Sequence, residues 1–259
     1  MSGLSTVVKG TGPALQLVHG AGGSVQANYG RILGTLTQYF TVIAPDLPGS
    51  GGSPKAAGPL DLDKLADDLV DIAVKAGHES FYVSGYSMGC AVAVTAAVRH
   101  PERVRGLVLS TPFTKLDAAT RATMDRWKSL LTGSRDVLSR FILSVMCSKE
   151  YLARLTPAQA EGFAELIGSS VPTGSPGHVD LILRIDLSEL LPQVTQPTLV
   201  IGASGDQLLS RHLGKEVADQ IPGSKYTDIA CGHAIALESA MPWARLITDY
   251  LTSVRVRSR

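Results

Sequence analysis

The sequence predicts an α/β fold, in which a mostly parallel sheet has helices on both faces and a helical cap is inserted. Short β-rich apolar runs alternate with helix-patterned stretches, and the runs lack strict polar–apolar alternation, as in strands covered on both faces. The alternation then stops for about 75 residues that carry helical patterns and no convincing strand. The sequence therefore divides into a core of residues 1–110 and 187–259 and a cap of residues 111–186.

The apolar runs predict the strands of the core in chain order. They are Ala14–Val18, Thr41–Ala44, Phe81–Val83, Gly106–Leu109 and Thr198–Ile201, and a further strand is expected at Tyr226–Ile229. Between the second and third runs, apolar residues recur at helical spacing: Leu62, Leu65, Leu69, Ile72 and Ala73. Strand–helix–strand repetition of this kind is typical of a parallel sheet with crossover helices.

The predicted cap contains two clear helices. The first carries an apolar stripe at Val137, Leu138, Phe141, Ile142, Val145 and Met146. The second begins with a capping box at Thr156–Gln159, has Pro157 at its first position and is expected to close at Gly168, before a loop over 169–177. Such stripes usually pack into a core, but the inner face of a cap also lines a cavity. Phe141, Ile142 and Met146 are therefore candidate substrate contacts.

Composition and charge restrict the function classes. The chain has 259 residues, 44% of them apolar, with 24 Lys and Arg against 23 Asp and Glu. This balance argues against a nucleic-acid partner, and no run approaches the ~18 apolar residues of a membrane span. Three cysteines and the absence of a signal-like N-terminus favour a reduced, cytoplasmic protein. Metal-ligand spacings are missing, so no metal or cofactor is expected, only a small-molecule substrate; the oligomeric state stays open.

The strongest chemical motif is Gly85-Tyr-Ser87-Met-Gly89, which follows an apolar strand and opens a helical stretch. In that context Gly-x-Ser-x-Gly places a serine on a strained turn, with its hydroxyl raised above the sheet and the helix N-terminus aimed at it. Ser87 is thus the predicted nucleophile, and the Met88 N–H is a predicted oxyanion donor. The alternative is a glycine-rich turn whose serine only caps the helix.

A second glycine-rich turn, His19–Ser24, directly follows the first predicted strand. Clustered backbone N–H groups of this kind can bind phosphate, but the Lys-Ser/Thr of a Walker motif is absent. The preferred interpretation is a second oxyanion donor, the Ala21 N–H, with His19 anchoring the loop rather than carrying protons.

Taken together, these motifs resemble the α/β-hydrolase superfamily over nearly the whole chain. The resemblance rests on His19-Gly20, the Pro-Asp-Leu-Pro-Gly turn at 45–49, the Gly85–Gly89 motif, the strand at 198–201 before Asp206, and Gly232-His233. It implies a Ser-Asp-His triad in that chain order. Two departures are the short segment before the first predicted strand, from which an early hairpin strand is expected to be missing, and Cys90, where many relatives have glycine.

The resemblance assigns the remaining triad members to loops after strands. His233 is the expected general base, and Asp206 is the expected carboxylate that orients it. Asp117 is the rival acid, although a helix start explains it equally simply. Asp46 is expected to form a turn, and His178 in the cap is a minor candidate for contact with substrate.

The expected activity is hydrolysis of a small or medium, largely apolar carboxylic ester, lactone or thioester through an acyl-enzyme. One alternative on the same fold is hydrolysis of a carbon–carbon bond next to a ketone, or a perhydrolase-like reaction. Another alternative is a non-hydrolytic cyclase or a ligand receptor that keeps the hydrolase pocket. The fold alone does not choose among them.

Overall fold

The described residues, 3–257 of a computed structural model, form a seven-stranded sheet in the order β1-β3-β2-β4-β5-β6-β7. The outermost residues of the predicted core, 1–2 and 258–259, lie outside the described residues. The strands are β1 (Thr6–Lys9), β2 (Ala14–Val18), β3 (Thr41–Pro45), β4 (Phe81–Tyr86), β5 (Val104–Ser110), β6 (Thr198–Ala203) and β7 (Lys225–Ile229). Every pair is parallel except β1 with β3, which confirms the predicted fold class.

Helices cover both faces of this sheet and fill the connection between β5 and β6. They are α1 (Val25–Leu36), α2 (Leu62–Lys75), α3 (Met88–Arg99), α4 (Ala118–Leu130), α5 (Arg135–Met146), α6 (Lys149–Leu152), α7 (Pro157–Ser170), α8 (Ser175–Ile182), α9 (His212–Gln220), α10 (Ile235–Glu238) and α11 (Ala240–Arg257). A short 3-10 turn, Leu191–Gln193, leads into β6.

The sheet separates two apolar cores. On one face, α2, α3 and α9 pack with the inward side chains of the strands. On the other face, α1 and α11 pack together over Leu15, Leu17 and Ile201. Strands β2, β4 and β6 are buried along their whole length, which explains why their sequences are continuous apolar runs. The carboxyl ends of these central strands meet at one edge of the sheet.

The segment between β5 and β6 is the helical insertion, which carries α4 to α8. Its two ends meet, because the Leu187 N–H donates to the Thr114 carbonyl at 2.9 Å and Lys115 bridges Asp186. The capping box at Thr156 and Gln159 is present as predicted.

Two boundaries inside the insertion differ from the prediction. Helix α7 does not close at Gly168 but continues to Ser170, and α8 begins at Ser175, inside the predicted loop over 169–177. Pro176 marked a loop in the sequence, yet it sits in the first turn of α8. A proline is tolerated there because the first helical N–H groups have no partner within the helix.

The sequence also did not reveal β1. Thr6–Lys9 pairs antiparallel with β3 at the edge of the sheet, and two of its four residues are exposed. An edge strand whose residues are only half-buried or exposed leaves no continuous apolar run in the sequence.

Candidate active site

Ser87 occupies the single residue between β4 and α3, in a backbone conformation of φ 53° and ψ −121°. Positive φ is unfavourable for a residue with a Cβ and occurs where the surrounding structure enforces it. The two glycines of the motif make the turn sterically possible. A Cβ on Gly85 would lie 2.7 Å from the Cα of Cys90, and one on Gly89 would collide with the carbonyl oxygen of Val18.

The turn brings Ser87 together with two distant residues of the chain. The Ser87 Oγ lies 2.9 Å from His233 Nε2, and His233 Nδ1 lies 2.6 Å from Asp206 Oδ2. The other carboxylate oxygen, Oδ1, accepts the N–H groups of Leu208 at 2.8 Å and Leu209 at 3.0 Å. The Ser87 side chain makes no capping bond to α3, unlike the serine that caps α1.

This network assigns the protons of the site. Asp206 only accepts hydrogen bonds, so the proton on the His233 ring belongs on Nδ1. The lone pair of Nε2 then faces Ser87, whose hydroxyl donates to it. Both side chains are almost fully buried, with His233 1% and Ser87 6% exposed. The serine hydroxyl is thus placed to lose its proton to the imidazole as it attacks.

The loop that carries His233 is held from both sides. The Tyr86 hydroxyl donates to the His233 carbonyl at 2.6 Å, and its ring lies 5.4 Å from the imidazole. The Ala234 N–H donates to the Met146 carbonyl at the end of α5, at 2.7 Å. Sequence reasoning missed Tyr86, because it fills a variable position of Gly-x-Ser-x-Gly and only the fold shows that it reaches the histidine loop.

The glycine-rich loop after β2 leaves the Ala21 N–H without an acceptor. Gly20 donates to Asn28 Oδ1 at 3.0 Å, Gly22 to His178 Nδ1 at 3.2 Å, and Gly23 to the Gly20 carbonyl at 3.3 Å. Within the part of the chain that the structure describes, neither the Ala21 nor the Met88 N–H has an acceptor. Both residues therefore keep a backbone donor available, at the ends of β2 and β4.

Two buried histidines support this loop. His19 Nε2 accepts the Leu47 N–H, and its Nδ1–H donates to the Gly20 carbonyl, each at 2.8 Å. His178 accepts the Gly22 N–H and donates from Nε2 to the Pro48 carbonyl at 3.0 Å, so it links the insertion to the core. Burial lowers the pKa of His19 to about 4 and also lowers the pKa of His178, because desolvation disfavours the imidazolium.

A cavity of about 550 Å³ opens over Ser87, between the helical insertion and the core. Its walls are largely apolar, and the insertion contributes Trp127, Ile142, Leu143, Met146, Cys147, Phe163, Leu166, Ile167, Ser170, Val171 and Ile182. Ile142 and Met146 are thus placed where the sequence predicted. The prediction for Phe141 is wrong, because this side chain lies outside the lining, with the Arg126 guanidinium 5.6 Å from its ring. One helical step of about 100° turns it from the cavity towards α4.

Two other aspartates that the sequence analysis considered, Asp117 and Asp46, have structural roles. Asp117 caps α4 by accepting the Thr120 N–H at 2.7 Å, and Asp46 accepts the N–H of Val25 at 2.8 Å in its turn.

Burial raises the pKa of Cys147 and of Cys231 to about 12, so both thiols are protonated near neutral pH. Among the described residues, His, Cys, Asp and Glu form no group of three that could hold a metal ion.

Comparison with known proteins adds the family. Residues 13–240 match the family model described as the alpha/beta hydrolase fold. The chain belongs to this family. Similar alpha/beta hydrolases include the pyrrolizixenacetamide deacetylase of Xenorhabdus hominickii, which is 32% identical over 96% of this chain and 95% of its own. The 2-hydroxymuconate semialdehyde hydrolase of Pseudomonas sp. (strain CF600) is 29% identical over 93% and 88%.

Solved structures of alpha/beta hydrolases agree with the fold. The enol-lactonase from Burkholderia xenovorans LB400 superposes with a TM-score of 0.85 at 22% identity, over 96% of both chains. At that identity the likeness shows the fold alone. With relatives named as hydrolases, this member of the family is an enzyme of the hydrolase class. None of the helices that the structure describes is long and apolar enough to cross a membrane.

Proposed function

We propose that this alpha/beta hydrolase cleaves a carboxylic ester, lactone or thioester through a covalent acyl-enzyme on Ser87. The observation that carries the proposal is the unbroken hydrogen-bonded chain from Asp206 through His233 to Ser87, which ends at the floor of an apolar cavity. A serine hydroxyl is a weak nucleophile unless an adjacent base takes its proton. Here that base is in contact and is itself oriented by a buried carboxylate.

In the acylation step, Ser87 Oγ attacks the carbonyl carbon of the substrate while its proton passes to His233 Nε2. The carbonyl oxygen becomes an oxyanion that accepts the N–H groups of Ala21 and Met88. Asp206 stabilises the imidazolium that forms and holds its ring in place. When the tetrahedral intermediate collapses, His233 returns the proton to the leaving alcohol or thiol, and the acyl group remains on Ser87.

Deacylation repeats the sequence with water as the nucleophile. His233 Nε2 accepts a proton from water as the oxygen attacks the acyl carbon, and the same two N–H groups hold the second oxyanion. Collapse releases the carboxylic acid and returns the proton to Ser87 Oγ. The atoms balance as ester plus water giving acid plus alcohol, and the enzyme is unchanged.

The cavity favours a small or medium, largely apolar acyl or alcohol part. Its walls on the insertion side are mostly aliphatic and aromatic, so each buried CH₂ of a substrate contributes about 0.8 kcal/mol of binding at most. Residues 111–186 therefore act, in this proposal, as a cap that sets substrate preference. The catalytic groups lie on the core side and are common to every substrate.

A second candidate reaction is hydrolysis of an N-acyl amide. The similarity to a protein named as a deacetylase, at 32% identity over almost the full chain, favours it. The geometry serves an amide in the same way, because His233 can protonate a leaving amine as well as an alcohol. Carbon–carbon hydrolysis is the third reaction to assay, since a relative at 29% identity is named as a semialdehyde hydrolase.

The test combines active-site labelling with a substrate panel. A serine-directed phosphonate should label Ser87 alone, and Ser87→Ala should lower ester turnover by roughly 10³-fold or more. Ser84→Ala is the matched control, because Ser84 lies three residues earlier on β4 and its buried hydroxyl is outside the network of Ser87, His233 and Asp206. Matched ester, N-acyl anilide and vinylogous diketone substrates rank the three reactions. Phosphonate labelling of a residue other than Ser87, or ester turnover retained in Ser87→Ala, contradicts the mechanism. Binding of the substrates without turnover indicates a ligand receptor.

A further inference from the structure

One side chain stands apart from the others in the cavity lining. Arg31 is the only Lys, Arg, Asp or Glu among the described residues that line the cavity. It lies on α1, whose residues Ala27 and Asn28 also line the cavity, one turn closer to the glycine-rich loop. An otherwise apolar cavity thus carries one permanent positive charge on the wall that the core supplies.

That charge has no hydrogen-bond or ion-pair partner within the part of the chain that the structure describes. No acceptor or carboxylate of the described residues lies within hydrogen-bond or ion-pair distance of the Arg31 guanidinium. The Glu238 carboxylate binds Ser148 instead. One of its oxygens accepts the Ser148 N–H at 2.8 Å, and the other accepts the Ser148 hydroxyl at 2.6 Å. Arginine fits carboxylates and phosphates through paired N–H donors, and none of the Arg31 side-chain donors has an acceptor among the described residues.

The position of Arg31 separates it from the reacting atoms. Ser24, the cap of α1, closes the glycine-rich loop, and Arg31 follows seven residues later, a rise of about 10 Å along the helix. The side chain is exposed, and its charge acts on Tyr151 in the short helix α6 of the insertion. There, burial raises the pKa of Tyr151, and the charge of Arg31 acts in the opposite direction. Because it is exposed and also lines the cavity, the Arg31 side chain belongs to the rim of the cavity.

We propose that Arg31 binds an anionic group at the far end of the substrate, a carboxylate or a phosphate. The substrate class is then an acyl compound with an apolar middle, which the insertion covers, and a negatively charged end at the rim. This inference rests on the proposed function, because it assumes that the cavity over Ser87 holds the substrate. It adds a specificity contact that none of the catalytic groups provides.

The experiment compares charged substrates with neutral substrates of the same shape. One arm uses a homologous series of ω-carboxyalkanoyl nitrophenyl esters and their ω-methyl-ester counterparts. The other arm uses esters whose alcohol part ends in a phosphate or in a neutral hydroxyl. Arg31→Gln should lower kcat/KM for anionic substrates about fivefold, the scale of an exposed ion pair, and change the neutral ones by less than about twofold. Arg31→Lys should retain part of the preference.

Arg126→Gln is the matched control, because Arg126 is also exposed and has no acidic partner among residues 3–257, but it lies outside the cavity lining. The wild-type preference for anions should also weaken as salt is raised. A preference confined to one arm identifies the carboxylate or the phosphate as the recognised group. Equal turnover of charged and neutral esters by the wild type, or equal effects of the two Arg→Gln variants, overturns the inference and leaves the hydrolase mechanism intact. Failure of the mechanism is seen separately, as no labelling of Ser87.

Discussion

Replacing the Asp206 carboxylate by an amide is expected to change the position of the proton on the His233 ring. In Asp206→Asn, one side-chain oxygen becomes an NH₂ group, and the structure decides which one. The N–H groups of Leu208 and Leu209 both point at Oδ1, so the amide oxygen must stay there to accept them. The new NH₂ group then faces His233 Nδ1, which can only accept from it.

The consequence is a change of tautomer rather than a loss of structure. With Nδ1 accepting, the His233 proton moves to Nε2, which then donates to Ser87 Oγ and cannot take the serine proton. A triad with this defect loses roughly 10⁴-fold in kcat, which corresponds to about 5 kcal/mol of transition-state stabilisation. The fold should persist, since the lost charge assistance on buried hydrogen bonds costs about 1–3 kcal/mol of the free energy of unfolding.

The assay is steady-state hydrolysis of an activated ester, with thermal unfolding measured on the same preparations. Asp117→Asn is the control, because Asp117 caps α4 and an asparagine caps a helix equally well. That variant should keep activity within about twofold. If Asp206→Asn retains most of the wild-type kcat while folded, the buried carboxylate does not set the tautomer and the reasoning is refuted. A larger loss of kcat in Asp117→Asn than in Asp206→Asn would indicate that Asp117 is the catalytic acid.

Three further predictions concern the groups around the triad. Ile142→Ala should change the preference among acyl chains, whereas Phe141→Ala should lower only thermal stability, and equal effects on the substrate profile would contradict the cavity assignment. His178→Phe leaves the Gly22 N–H without its acceptor, so kcat should fall about tenfold for all esters with similar KM, as measured in parallel kinetics. Burial lowers the pKa of His19 to about 4, so protonation of this imidazole favours the unfolded chain. The free energy of unfolding should therefore decrease by about 3 kcal/mol as the pH falls from 6.5 towards 4. In His19→Gln, urea unfolding across that range should show a smaller loss.

Local patterns were enough to predict much of the core. Strands β2 to β6 lie where the apolar runs indicated them, because strands buried on both faces are continuously apolar, and the partly exposed strand β7 lies over the predicted Tyr226–Ile229. The strained position of Ser87 follows from the two glycines, whose missing Cβ atoms are visible in the sequence. The capping box of α7 is equally local. The edge strand β1 and the start of α8 were not predictable in this way, because pairing with β3 and a tolerated proline override weak local signals.

The amino-acid sequence by itself determined the fold class, the family and the order of Ser87, Asp206 and His233 along the chain. Only the tertiary structure decided which atoms meet. It directs Asp206 to the histidine and Asp117 to a helix start, turns Ile142 towards the cavity and Phe141 away from it, and brings Tyr86, His178 and Arg31 to the site from separate elements. The physical reason is that motifs depend on neighbours in the chain, whereas hydrogen bonds and cavity walls join residues that are far apart in it, such as Gly22 and His178, which are hydrogen-bonded across 156 positions.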